Sequence, residues 1–75
     1  MGKLTNYTKI LKALADENRL RILALLKASE NIKKDICVCE IQSIIGLSQP
    51  TISSHLKVLE NAELIEYKKN GLWVN

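Results

Sequence analysis

Residues 35–41, DICVCEI, hold the chain's only two cysteines, Cys37 and Cys39, one residue apart. Two thiols this close suit three kinds of chemistry: gripping a soft metal or metalloid ion, cycling between dithiol and disulfide, or nucleophilic attack. Attack needs a base beside the thiol, and the only histidine, His55, stands in a later segment with other work to do. Inside a regular helix, residues i and i+2 point about 200° apart and cannot share an ion. A helix start removes that obstacle. Cys37-Val38-Cys39-Glu40 has the spacing of a capping box with cysteine in the cap place, so Glu40 can reach back to the Cys37 N–H. An N-cap residue turns its side chain over the first turn, which leans Cys37 towards Cys39, and the helix N-terminus favours the metal-binding thiolate. The plainer reading, two half-buried small hydrophobes, is the weaker one because cysteine is a poor cap.

The elements around the pair follow from periodicity. Leu4, Tyr7, Leu11 and Leu14 make one face of an amphipathic helix over about 4–14. Asp16 is the N-cap of a second helix whose apolar face is Leu20, Ile22, Leu23 and Leu26, and polar residues 30–35 form a connection. A third helix is predicted over Val38–Ile45, with Val38, Ile41, Ile44 and Ile45 inward and Gly46 just past its end. The next begins at once: Ser48 caps it, Pro50 is tolerated in its first turn, and Ile52, Leu56, Leu59 and Leu64 form its buried stripe. Two helices joined by a tight glycine turn, spanning about 38–62, are a helix-turn-helix. From about 64 to 75 the period becomes two, interrupted by Asn70-Gly71, a hairpin signal. With those two residues as the loop, Lys69 faces Leu72, Lys68 faces Trp73 and Tyr67 faces Val74. The sum is mainly α with a small β-hairpin: one winged helix-turn-helix domain over residues 1–75.

That fold points to double-stranded DNA. On the face of the fourth helix away from its stripe, Ser48, Gln49, Thr51, Ser53, Ser54 and Lys57 offer groups for base edges and phosphates, and Lys68 and Lys69 flank the wing tip. His55, at the edge of the stripe, is a lesser DNA candidate and reads first as a packed histidine; Trp73 and Tyr67 read as wing packing.

Composition agrees. The chain has 75 residues, 47% hydrophobic and 25% charged, with 11 basic against 8 acidic side chains, a net charge of +3. That suits a small folded domain with an anionic partner and excludes disorder. No apolar run is long enough for a membrane span, no signal-peptide pattern opens the chain, and two cysteines are too few for a secreted disulfide scaffold. A cytoplasmic address is expected.

The segments LKALADENRLRILALL, CVCEI and LSQPTISSHLKVLENAELIEYKKNGLWV together resemble the ArsR/SmtB family of metal-responsive winged-helix repressors. The resemblance runs from about Leu11 onward. It implies a dimeric repressor that sits on an operator and lets go when metal binds. CVC at the start of the helix before the recognition helix is the mark of the arsenic-responsive members and their cadmium- and lead-sensing relatives, which implies Cys37 and Cys39 as ligands. Arsenic-responsive relatives often add a third cysteine where this chain has Gln42. Cadmium-type relatives draw cysteines from an N-terminal arm, which here has none, and the His and Asp residues of zinc-type relatives have no counterpart. The resemblance therefore implies arsenite or antimonite as inducer, held by two thiolates and a retained hydroxide, ahead of cadmium or lead; no cofactor is required. The family's C-terminal dimerisation helix has no counterpart in these residues. The chain is then a fragment, or its dimer rests on Leu4, Tyr7 and Leu11. Two other readings stand beside this one: a winged-helix regulator using the dithiol as a redox switch, and a DNA-binding domain with no working sensor site.

Overall fold

The computed structural model describes residues 2–68 and 71–75. In chain order these form helices α1 (Gly2–Leu14), α2 (Glu17–Asn31), α3 (Val38–Ile45) and α4 (Gln49–Asn61), then strands β1 (Ile65–Lys68) and β2 (Gly71–Val74). The strands pair antiparallel as a hairpin against the helices. This is a winged helix-turn-helix.

Local chemistry sets the helix boundaries. Asp16 caps α2, its Oδ1 accepting the Arg19 N–H at 3.0 Å from an extended backbone. Helices α2 and α4 end alike: Lys33 (φ 53°) and Glu63 (φ 60°) turn left-handed, and the next N–H returns to a carbonyl five residues back, Lys34 to Ser29 and Leu64 to Leu59. Helix α3 stops at Gly46, whose φ of 83° is cheap only for glycine; a methyl group there would meet open space, so the backbone angle alone requires it. Ser48 then caps α4, accepting the Thr51 N–H, with Pro50 in the first turn.

The core gathers one face of each helix and the base of the hairpin. Ile22 and Leu26 from α2, Ile41 from α3, Ile52, Leu56 and Leu59 from α4, and Ile65 from β1 are fully buried, each contributing about 1.5–3 kcal/mol of transfer free energy. Several expected inward residues lie outside this fully buried set; Leu23 and Val38 are half-buried against it. Leu20 lies about 200° round α2 from Ile22 and is exposed; Ile44 lies about 100° round α3 from Ile45 and is exposed. Leu64 comes after the end of α4, so it leaves the stripe and is only half-buried. Helix α1 is turned the other way from its stripe. It packs through Ala13 and Ile10, while Leu4, Tyr7 and Leu11 remain 63%, 58% and 67% exposed.

The hairpin register corrects the expectation. Ile65 pairs with Val74, Glu66 with Trp73, Tyr67 with Leu72 and Lys68 with Gly71. Gly71 is thus the first residue of β2 and not part of the connection. The partners slip by two positions, which keeps Tyr67, Leu72 and Val74 on one face. The reason is distant in sequence. Gly71 has φ 146°, and a Cβ on it would stand 2.8 Å from the Ile36 carbonyl oxygen. Here glycine serves a close backbone approach.

Candidate DNA-binding face and dithiol site

With Ile52, Leu56 and Leu59 inward, α4 presents Gln49, Thr51, Ser53, Ser54 and Lys57 exposed on its outer face, after the exposed cap Ser48. The Ser48 and Thr51 hydroxyls lie 2.9 Å apart and are partly spent on capping, so Gln49, Ser53, Ser54 and Lys57 are the freer groups. On the wing, Lys68 is exposed; its Nζ stands 3.4 Å from Glu66 Oε1 and 5.6 Å from the centre of the Trp73 ring. Lys69, the other wing candidate, lies outside the described residues. Tyr67 is exposed on one side, yet partial burial, with the Glu60 charge second, raises its phenol above the ordinary value.

His55 is half-buried and faces Arg19. The Arg19 guanidinium donates from Nε to the Ala13 carbonyl at 2.7 Å and from Nη2 to the Lys12 carbonyl at 3.0 Å, and its Nη1 lies 3.3 Å from His55 Nδ1. Because guanidinium only donates, this contact needs Nδ1 unprotonated. Only Nε2 of His55 is left for an outside partner. One side chain thus ties the end of α1 to α2 and to the recognition helix. The Arg19 backbone N–H, followed by the Arg19 charge, holds Asp16 below the ordinary carboxylate range against the opposing effect of burial. Nothing in the local sequence pattern singled Arg19 out.

At the other helix start, Cys37 is the N-cap of α3, with extended backbone (φ −101°, ψ 165°). Its sulfur and that of Cys39 are joined as a disulfide, the two Cα atoms 5.4 Å apart, and both residues are exposed. Exposure removes the reading of two half-buried hydrophobes. Capping-box geometry surrounds Cys37; its better-defined arm is Glu40, whose Oε1 accepts the Cys37 N–H at 3.3 Å. Glu40 Oε2 also meets Lys34 Nζ at 3.0 Å. Lys34, and then the Cys37 N–H, holds Glu40 below its ordinary value although burial pulls the other way. Among the described residues no group of three or more His, Cys, Asp or Glu side chains that could hold a metal ion comes together; Gln42 is half-buried one turn on from Cys39.

Two further residues matter to the wing and were not expected. Glu30, near the C-terminus of α2 where an acid opposes the helix dipole, accepts the Val74 N–H at 2.9 Å. That misplaced charge was the signal in the sequence. Ile36, buried beside Cys37, lies against Gly71.

A sequence profile described as "Bacterial regulatory protein, arsR family" matches residues 16–67. The chain is 41% identical over 73 residues to an HTH-type transcriptional regulator of Methanocaldococcus jannaschii, covering 97% of this chain and 78% of that protein. It is 44% identical over 62 residues to the arsenical resistance operon repressor of Staphylococcus xylosus, covering 83% of this chain and 55% of the relative. With a cadmium resistance transcriptional regulatory protein CadC homolog of Staphylococcus aureus it shares 36% over 66 residues, 88% of this chain and 51% of the relative. The chain thus spans about half the length of the two resistance regulators. No helix among the described residues is long and apolar enough to cross a membrane. The profile covers the helix caps and the glycine turn just described and ends within β1, the M. jannaschii likeness spans nearly the whole chain, and the chain belongs to the arsR family of bacterial regulatory proteins.

Proposed function

We propose that the protein is a cytoplasmic transcriptional repressor that holds operator DNA through α4 and the wing and releases it when arsenite or antimonite binds Cys37 and Cys39. The observation that carries the reading is the meeting of the two sulfurs at the start of the helix directly before the recognition helix. Gln49, Ser53 and Ser54 are matched to base edges in the major groove, Lys57, Lys68 and Lys69 to phosphates, and Thr51, Ser48 and His55 to the margin of the contact. The similarity to arsenical repressors favours arsenic over cadmium or lead.

Two equivalents of a cellular thiol first reduce the disulfide by exchange, leaving joined as their own disulfide while their two protons pass to the Cys37 and Cys39 thiols. Arsenous acid then condenses with the dithiol: two S–As bonds form, two As–OH bonds break, each thiol proton leaves with a hydroxide as water, and one hydroxide stays on arsenic. Glu40, committed to Lys34 and the Cys37 N–H, keeps the helix start ordered while this happens.

Operators are read as paired half-sites, and the uncovered Leu4–Tyr7–Leu11 face of α1 supports a homodimer through that helix. A second reading, favoured by the Cys37–Cys39 bond itself, keeps the DNA function and makes oxidation the signal. Native mass spectrometry of the reduced protein with arsenite separates them. The metalloid reading expects one arsenic per chain, absent in Cys37→Ser/Cys39→Ser. Intact, titratable thiols with no uptake contradict it and leave the redox reading.

A further inference from the structure

Strand β2 is held at two points by residues before Cys37, one at the end of α2 and one in the segment that follows it. At the base, the Val74 N–H bonds to Glu30 Oε1 at 2.9 Å. At the tip end, Gly71 lies against the backbone of Ile36 so closely that a Cβ would stand 2.8 Å from Ile36 O, 3.2 Å from Ile36 N and 3.6 Å from Asp35 Cβ. The Ile36 side chain is itself only 3% exposed, in the same core cluster as Leu72 and Ile65. The stretch is anchored behind by Lys34, whose N–H reaches Ser29 O at 2.8 Å and whose Nζ reaches Glu40 at 3.0 Å. In front, Ile36 is bonded directly to Cys37.

We propose that Ile36 is a positioning residue for the wing, carrying the state of the Cys37–Cys39 pair to the hairpin through its contact with Gly71. The proposal rests on the reading of the two cysteines as a sensor. Closing a ring through both sulfurs constrains the Cys37 backbone across the start of α3; opening or enlarging the ring releases it. Any change in the Cys37 dihedrals moves the Ile36 peptide, and Gly71, which fits beside that peptide only because it lacks a Cβ, lies next to it. Gly71 pairs with Lys68 across the hairpin, so the wing's phosphate-facing lysine moves with it. The dithiol thereby reaches the DNA by two routes, through α3 to α4 and through Ile36 to the wing.

Trp73, the only tryptophan, sits two residues from Gly71 on β2 with Lys68 over its ring, and it reports the wing directly. The experiment records Trp73 emission of the DNA-free protein as disulfide, as dithiol and after arsenite, with mass spectrometry confirming each state. The expected result is an emission shift between disulfide and dithiol in the wild type that is lost in Ile36→Ala and reduced in Ile36→Val, with the same covalent states reached in all three. Ile36→Val, short by one methylene, keeps the test valid where the alanine variant does not fold. An unchanged wild-type emission across confirmed states overturns the proposal, as does a full wild-type shift in a folded Ile36 variant. Failure of arsenite to bind, with the disulfide–dithiol shift intact, rejects the metalloid reading and supports the Ile36 route.

Discussion

Replacing Arg19 with alanine removes a side chain that ties α2 to the end of α1 and to α4. Its side chain is 17% exposed, and its Nε bond to Ala13 O, at 2.7 Å, is charged and part-buried. A bond of that kind contributes about 1.5–3 kcal/mol. The exposed bond to Lys12 O and the 3.3 Å contact with His55 Nδ1 add about 0.5 kcal/mol each. The 4.0 Å approach to Asp16 adds little. The expected loss is therefore roughly 2–4 kcal/mol, a large share of the roughly 4–11 kcal/mol that a chain of 75 residues commands. Urea unfolding followed by far-ultraviolet circular dichroism measures it, at one protein concentration so that any self-association is held constant. The midpoint should fall with little change in slope, and Arg19→Lys, which keeps the charge but not the fork, should recover part of the loss. A loss below about 0.5 kcal/mol would refute the clamp, because it would mean that solvent replaces all three contacts without cost.

Acid should weaken the fold through two carboxylates. Glu40 and Asp16 have folded pKa values held below their ordinary 4.5 and 3.8, so each stabilises the protein above its unfolded pKa and loses that contribution as pH falls through the folded one. Urea midpoints should decline from about pH 5 downward, and Glu40→Gln should flatten part of the decline. Alanine at Gly46, where only φ opposes it, should cost about 1 kcal/mol, and alanine at Gly71, where the Ile36 carbonyl also stands in the way, about twice that; the same unfolding assay ranks the two. Lys57→Ala should weaken binding similarly on all duplexes and lower the slope of log affinity against log salt by about 1, measured by fluorescence anisotropy across a salt series.

What was legible in the sequence was what short-range chemistry decides. Asp16, Gly46 and Ser48 mark their helix ends because a cap is settled within three residues. The Cys37–Cys39 pair and the Glu40 arm were readable for the same reason. Long-range contacts were not. Asn70-Gly71 carries a strong local hairpin signal, yet the register follows the approach of Ile36, 35 positions earlier, to Gly71. Arg19 meets His55 across 36 positions and Glu30 meets Val74 across 44, so neither partner shows in any local pattern. The stripe on α1 was visible as amphipathicity, but a pattern does not say whether a stripe is covered by its own chain, and Leu4, Tyr7 and Leu11 are not. On the DNA side, outward placement of Gln49, Ser53, Ser54 and Lys57 followed directly from the burial of Ile52, Leu56 and Leu59.

The central claim is that occupancy of the two thiols controls the grip on DNA. Its most direct test is the affinity of the reduced protein for a duplex recovered by in vitro selection, read by fluorescence anisotropy with and without arsenite, beside Cys37→Ser/Cys39→Ser. Arsenite should weaken wild-type binding by about 10-fold or more and leave the double variant within about twofold. Equal affinity with and without arsenite in a wild-type protein shown to hold arsenic would contradict it.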